Sequence, residues 1–96
     1  MGKKTDNYIV NKDNTIKAIK RISGNFGFVE INENLYLRNV ENHPMVYMAY
    51  TGDYLAIFTK DTNITYSYDE IVDNILAGEY NERTFVCQAL DCLENA

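Results

Sequence analysis

Apolar and polar positions alternate most clearly between Ile22 and Asn39, in the stretch ISGNFGFVEINENLYLRN. A strand places one residue in two on each of its faces. Phe26-Gly27-Phe28-Val29 therefore predicts one short strand and Leu35-Tyr36-Leu37-Arg38 a second, with a tight turn near Asn32-Glu33-Asn34. Phe26 and Phe28 then share a face. Gly27 between them marks a bend or a close approach, because a glycine weakens a strand. Two uses of the ring pair stay open. Aromatic residues are enriched in strands for packing, and a Phe-Gly-Phe flanked by cations is also a stacking platform for nucleic-acid bases.

The flanking segments extend this pattern. Thr15 to Ile22, TIKAIKRI, mixes β-branched residues with cations and predicts a strand before the central pair, with a bulge regrouping its apolar residues. Ser23-Gly24-Asn25 is a turn. Residues 39–53 have no clear period, and Pro44 argues against a regular central strand there. Met45, Val46, Met48 and Ala49 instead predict a helical plug. Thr51-Gly52-Asp53 leads into a strand from Tyr54 to Thr59, and Lys60 to Asn63 is polar loop. Ser67-Tyr68-Asp69-Glu70 is a capping box. With Ile71, Val72, Ile75 and Leu76 at helical spacing and Gly78 as a stop, it predicts a helix over 68–77 that packs on the strands. Asp69 and Glu70 suit the positive end of that helix, so capping rather than catalysis is their expected role. Thr84 to Leu93, TFVCQALDCL, predicts a last strand. Residues 1–7 read as a loose arm, followed by the short apolar run Tyr8-Ile9-Val10. Successive strands with short connections favour an antiparallel meander. The expectation is one mainly-β domain over 1–96: a small five-stranded antiparallel barrel of the oligonucleotide/oligosaccharide-binding type, with one helix between its fourth and fifth strands.

Composition narrows the class. Ninety-six residues, 46% hydrophobic and 12% aromatic, suit one folded domain rather than a disordered chain. No apolar run approaches the roughly 18 residues of a membrane helix. MGKKTDNYIV carries no secretory pattern, and Asp6 stands where a myristoylation signal wants Ser or Thr. Cys87 and Cys92, five apart in the predicted strand, fall on opposite faces, which disfavours a disulfide. Two free thiols and no leader lead us to expect a cytoplasmic chain. His43 is the one histidine, too few for a zinc cluster.

The net charge of −5 is unevenly spread. Residues 1–40 hold seven cations against four acids, or +3; residues 41–96 hold two against ten, or −8. A local basic face within an acidic protein would still steer a polyanion, although the acidic remainder weakens it.

Gly24-Asn25-Phe26-Gly27-Phe28-Val29 resembles the first ribonucleoprotein motif of cold-shock domains, and Leu35-Tyr36-Leu37-Arg38 resembles their second. Gly52-Asp53 is similar to the step that opens their fourth strand. The spelling is nearest to the cold-shock-like barrels of the ribonuclease II/R family and of transcription terminator Rho. The resemblance covers residues 15–60. It implies that Phe26, Phe28 and Tyr36 stack on bases, that Arg38 lies beside them, and that Lys17, Lys20 and Arg21 approach the phosphates. The chain departs from the family at Gly24-Asn25, where the motif has Lys-Gly, and at Ile19 and Lys20, where first-strand aromatics belong.

Two binding functions follow as expectations. The first is a module for single-stranded nucleic acid, RNA ahead of DNA. The second is a small acidic protein-interaction module or inhibitor, of phage or plasmid type, that meets a nucleic-acid-processing protein through its acidic C-terminal half. No Ser-His-Asp set, metal cluster or phosphate loop stands in the sequence, so no catalysis, cofactor or metal is expected.

Overall fold

A computed structural model describes residues 10–94. The expected loose arm over 1–7 and Tyr8-Ile9 lie outside the described residues. The order is α1 (Lys12–Ser23), a 3-10 turn (Gly24–Phe26), β1 (Phe28–Asn32), β2 (Leu35–Arg38), β3 (Val46–Tyr50), β4 (Tyr54–Phe58), β5 (Asn63–Ser67), α2 (Tyr68–Leu76) and α3 (Glu82–Glu94). Strands hold 28% of the described residues and helices 44%. The mainly-β expectation therefore gives way to an α+β architecture.

The five strands form one antiparallel sheet in the order β1-β2-β3-β4-β5. The expected antiparallel meander is present. The sheet is not closed into a barrel: β1 and β5 are its two edges. Helices do what closure would have done on one side. Residues from α1, α2 and α3 join Phe28, Tyr36, Val46, Met48, Leu55 and Ile57 in one hydrophobic core.

Two segments expected as strands are helices. TIKAIKRI lies in α1, where Thr15, Ala18, Ile19 and Ser23 are buried. Those positions recur at three and four, the helical period. Asn11 starts the helix, its Oδ1 accepting from the Asn14 amide at 2.9 Å. TFVCQALDCL lies in α3, which buries Phe85, Val86, Ala89, Leu90 and Leu93 on one stripe. Asn81 and Thr84 cap it reciprocally: the Thr84 amide donates to Asn81 Oδ1 at 2.9 Å, and the Asn81 amide donates to Thr84 Oγ1 at 2.8 Å. Cys87 and Cys92 are thus on a helix, both free and both exposed. Five helical positions are about 140° of rotation apart, so they still point in different directions.

The expected plug is β3. Pro44 stands two residues before Val46, so its missing amide falls outside the ladder. The strand Tyr54–Phe58 matches the expected one. β5, NITYS, runs from the end of the expected polar loop, Asn63, to the helix cap, Ser67, and alternates Ile64 and Tyr66 inward against polar neighbours. Helix α2 begins at the expected cap, with Ser67 Oγ accepting from the Glu70 amide at 3.1 Å, and ends ahead of Gly78 at φ +79°. Ile71 is fully buried and Ile75 packs on the core, but Leu76 is exposed.

Candidate functional site

The seven residues expected to bind nucleic acid do not form an outward platform. Phe28 is 6% exposed and Tyr36 9%, and both face the helices. Phe26 is not on a strand at all. It ends the 3-10 turn, packs partly against the core, and carries the Arg83 guanidinium 5.4 Å above its ring. Gly27 follows at φ +96°, a left-handed conformation that reverses the chain direction into β1. The two phenylalanines are therefore not strand neighbours.

The cations are divided in the same way. Arg38 is half-buried; its Nε donates to the Phe26 carbonyl at 2.9 Å, and an Nη lies 3.5 Å from the Glu94 carboxylate. Lys20 donates to the Glu33 carbonyl at 2.7 Å and sits 4.9 Å over the Tyr50 ring. Both residues tie elements together: Arg38 joins the 3-10 turn to α3, and Lys20 joins α1 to the β1–β2 turn. Lys17 and Arg21 are exposed on α1, one helical turn apart. They belong to the helical layer, on the far side of the sheet's buried residues.

The register shows a different surface. Side chains alternate across each strand, so the neighbours of the core residues face away from the helices. Val29 pairs Leu37, Leu37 pairs Tyr47, and Tyr47 pairs Phe58, a continuous row across four strands. Tyr47 and Phe58 stack at 5.2 Å with planes 12° apart. One register step away, Leu35 pairs Ala49, Ala49 pairs Ala56, and Ala56 pairs Thr65. Val29 is 65% exposed, the bulged Ile31 54%, and Tyr54, opposite Ser67, 41%. No described element covers this face. Its strand residues are uncharged from β1 to β5, where Asn63, Thr65 and Ser67 turn polar side chains outward.

At the Tyr47–Phe58 end the face deepens into an open depression of about 430 Å³. Pro44, Met45 and the two rings line it, and Lys60 and Asp61 stand side by side at its rim. Alternation with one buried side per strand does not reveal this face. The signal was present in Leu35-Tyr36-Leu37 and Tyr47-Met48-Ala49, which are apolar at consecutive positions.

On the opposite surface, formed by the helices, α2 and α3 are acidic and α1, with Lys12, Lys17 and Arg21 exposed, is basic. Asp69, Glu70 and Asp73 on α2 and Asp91 on α3 are exposed. Burial lifts several phenols between the layers above the ordinary tyrosine range. The largest effect is at Tyr50, whose hydroxyl is buried without a hydrogen-bond partner among the described residues, and Tyr66 is also raised by burial. Burial also raises Tyr36, assisted by the Glu30 carboxylate that its hydroxyl meets at 3.4 Å. Among the described residues, no group of three His, Cys, Asp or Glu is placed to hold a metal ion, and no helix is long and apolar enough to cross a membrane.

Comparison with known proteins returns no match to a family model, a curated protein or a solved structure.

Proposed function

We propose that this chain is a protein-interaction module that docks through the open face of its sheet. The observation that carries this reading is the row Val29, Leu37, Tyr47, Phe58, uncharged across four strands, with Val29 exposed, the other three half-buried and no described element over it. An antiparallel sheet with one wet face normally alternates apolar inward and polar outward. Here β1 to β4 turn apolar side chains both ways, and only β5 follows the wet pattern. Contiguous exposed apolar patches of this kind are a mark of interaction sites.

Binding of single-stranded nucleic acid draws less support. It requires cations along the strand's path beside exposed rings. The rings of the open face, Tyr47, Tyr54 and Phe58, share it with no strand cation, Lys60 at its rim stands beside Asp61, and Lys17 and Arg21 lie on the helical side. Docking through the acidic helices is the rival protein-binding reading.

A photo-crosslinking residue at position 29, compared with one at position 73 on α2, separates the two. Crosslinks to protein from position 29 and none from position 73 are expected in cells expressing the chain. The reverse pattern would move the docking surface to the acidic helices and overturn the proposal.

A further inference from the structure

We infer that the open face takes a second copy of this chain, packed sheet against sheet about a two-fold axis; this rests on the reading of that face as a docking surface. Three features of the face point to self-packing.

The first is charge. An isologous contact sets the same patch against itself, so any charge near the axis meets its like. The strand residues of this face carry none. At its rim Lys60 and Asp61 are adjacent and offset one another. The three helices behind the sheet carry seven acids and five cations, a net −2, with the acids concentrated on α2 and α3. Facing sheets lie about 10 Å apart, and a helix layer on each outer side adds roughly another 10 Å. The acids of α2 and α3 in the two copies then stand several Debye lengths apart, at about 8 Å each in physiological salt. A partner recognised by charge would find nothing on this face to recognise.

The second is relief. The row Val29, Leu37, Tyr47, Phe58 forms a ridge, and the row through Ala49 and Ala56 forms a trough beside it. A two-fold axis lays each ridge over the other copy's trough. This is the interdigitation that stacked sheets use, at a mean angle of about 30°. The edges contribute less, because the bulge at Ile31 disturbs the β1 ladder and discourages pairing there.

The third is area. Five strands at about 4.8 Å spacing, each of about five residues at 3.4 Å, give a footprint of roughly 400 Å². The side chains raise the accessible area of this face above its footprint. A standard interface buries about 800 Å² per partner, or about a seventh of the 5869 Å² surface of this chain. A footprint about half that size places the contact among weak, transient interfaces, so the dimer is a reversible one that forms at high chain concentration.

Sedimentation equilibrium of the purified full chain over a wide concentration range tests this. The expected result is a shift from 11.1 kDa toward 22.2 kDa, twice the chain mass, with an affinity that changes little with salt. Leu37→Asp should weaken association by about 30-fold or more, as charging the centre of a packed interface does. Ala49→Trp should weaken it while leaving the face apolar, since it fills the trough. Asp73→Ala should leave it unchanged. Far-UV circular dichroism confirms that each variant is folded. A wild-type chain that stays monomeric, or a dimer that survives both Leu37→Asp and Ala49→Trp, overturns the inference. If the monomeric chain still crosslinks to another protein from position 29, the docking face stands and only its occupant changes. If it does not, both fail.

Discussion

The two faces of one sheet behave differently although the same strands build both. Phe28, Tyr36, Met48 and Leu55 face the helices and are buried. Val29, Leu37, Tyr47 and Phe58 face outward with no described element over them. Their side-chain chemistry is nearly the same. What differs is the partner: three helices supply apolar stripes to one face only. Apolar composition alone therefore does not place a strand residue in the core, and an apolar residue left outside is informative because burial would stabilise it by about 1.5–3 kcal/mol.

Mutations of the inner side should produce the largest effects. Phe85 is buried between the Tyr66 and Tyr80 rings, at 4.9 and 5.4 Å. Phe85→Ala should cost about 3–5 kcal/mol in a denaturant melt, as large core truncations do. An equal loss from Phe58→Ala at low concentration would erase the contrast between the faces. Gly27 should follow. Its φ of +96° is strained for any side chain, and a Cβ there would touch Val40 at 3.5 Å. Gly27→Ala should cost about 1–2 kcal/mol. Removing the α3 cap by Asn81→Ala should cost about 0.5–2 kcal/mol, measured by the same melt.

The smallest effect sharpens the inner face itself. Tyr50 buries a hydroxyl with no partner among the described residues, so Tyr50→Phe removes an unsatisfied group and should leave stability unchanged or raise it by about 1 kcal/mol at neutral pH. The pH dependence has a definite sign. Burial raises the Tyr50 and Tyr66 phenols above their unfolded value. The folded chain then holds protons that the unfolded chain has lost, so the stabilisation is complete below about pH 10 and declines as pH rises beyond it. Melting temperatures followed across that range should fall for the wild type and fall less for Tyr50→Phe. A flat profile would show that these phenols titrate normally.

The contrast explains which parts of the structure were legible in the sequence. The turn Thr51-Gly52-Asp53, strand β4 and the Ser67 cap each carry a local signal that tertiary packing does not oppose. The β1–β2 hairpin and its turn at Asn32-Glu33-Asn34 were legible for the same reason, although β1 begins at Phe28 and not at Phe26. A left-handed Gly27 separates Phe26 from the strand, and a two-residue alternation does not reveal that. TIKAIKRI and TFVCQALDCL were misread because their β-branched residues suggest strands, whereas their apolar positions recur every three or four. That period prevailed because it lets α1 and α3 cover the sheet. The same misreading put Phe28 and Tyr36 on an outward face. Moving α1 out of the sheet placed helices over Phe28 and Tyr36 and gave Lys20 and Arg38 structural partners.

Phe28 and Val29 are adjacent in sequence and opposite in role, so the pair tests the account most directly. Phe28→Ala and Val29→Lys can each be followed by a melt at low concentration and by sedimentation at high concentration. Phe28→Ala should lose about 3–5 kcal/mol of stability. Val29→Lys, with a lysine suited to an edge strand, should stay within about 1 kcal/mol of the wild type in the melt and lose the dimer. A Val29→Lys chain that unfolds as readily as Phe28→Ala, or that associates as the wild type does, would contradict the assignment of one face to the core and the other to a partner.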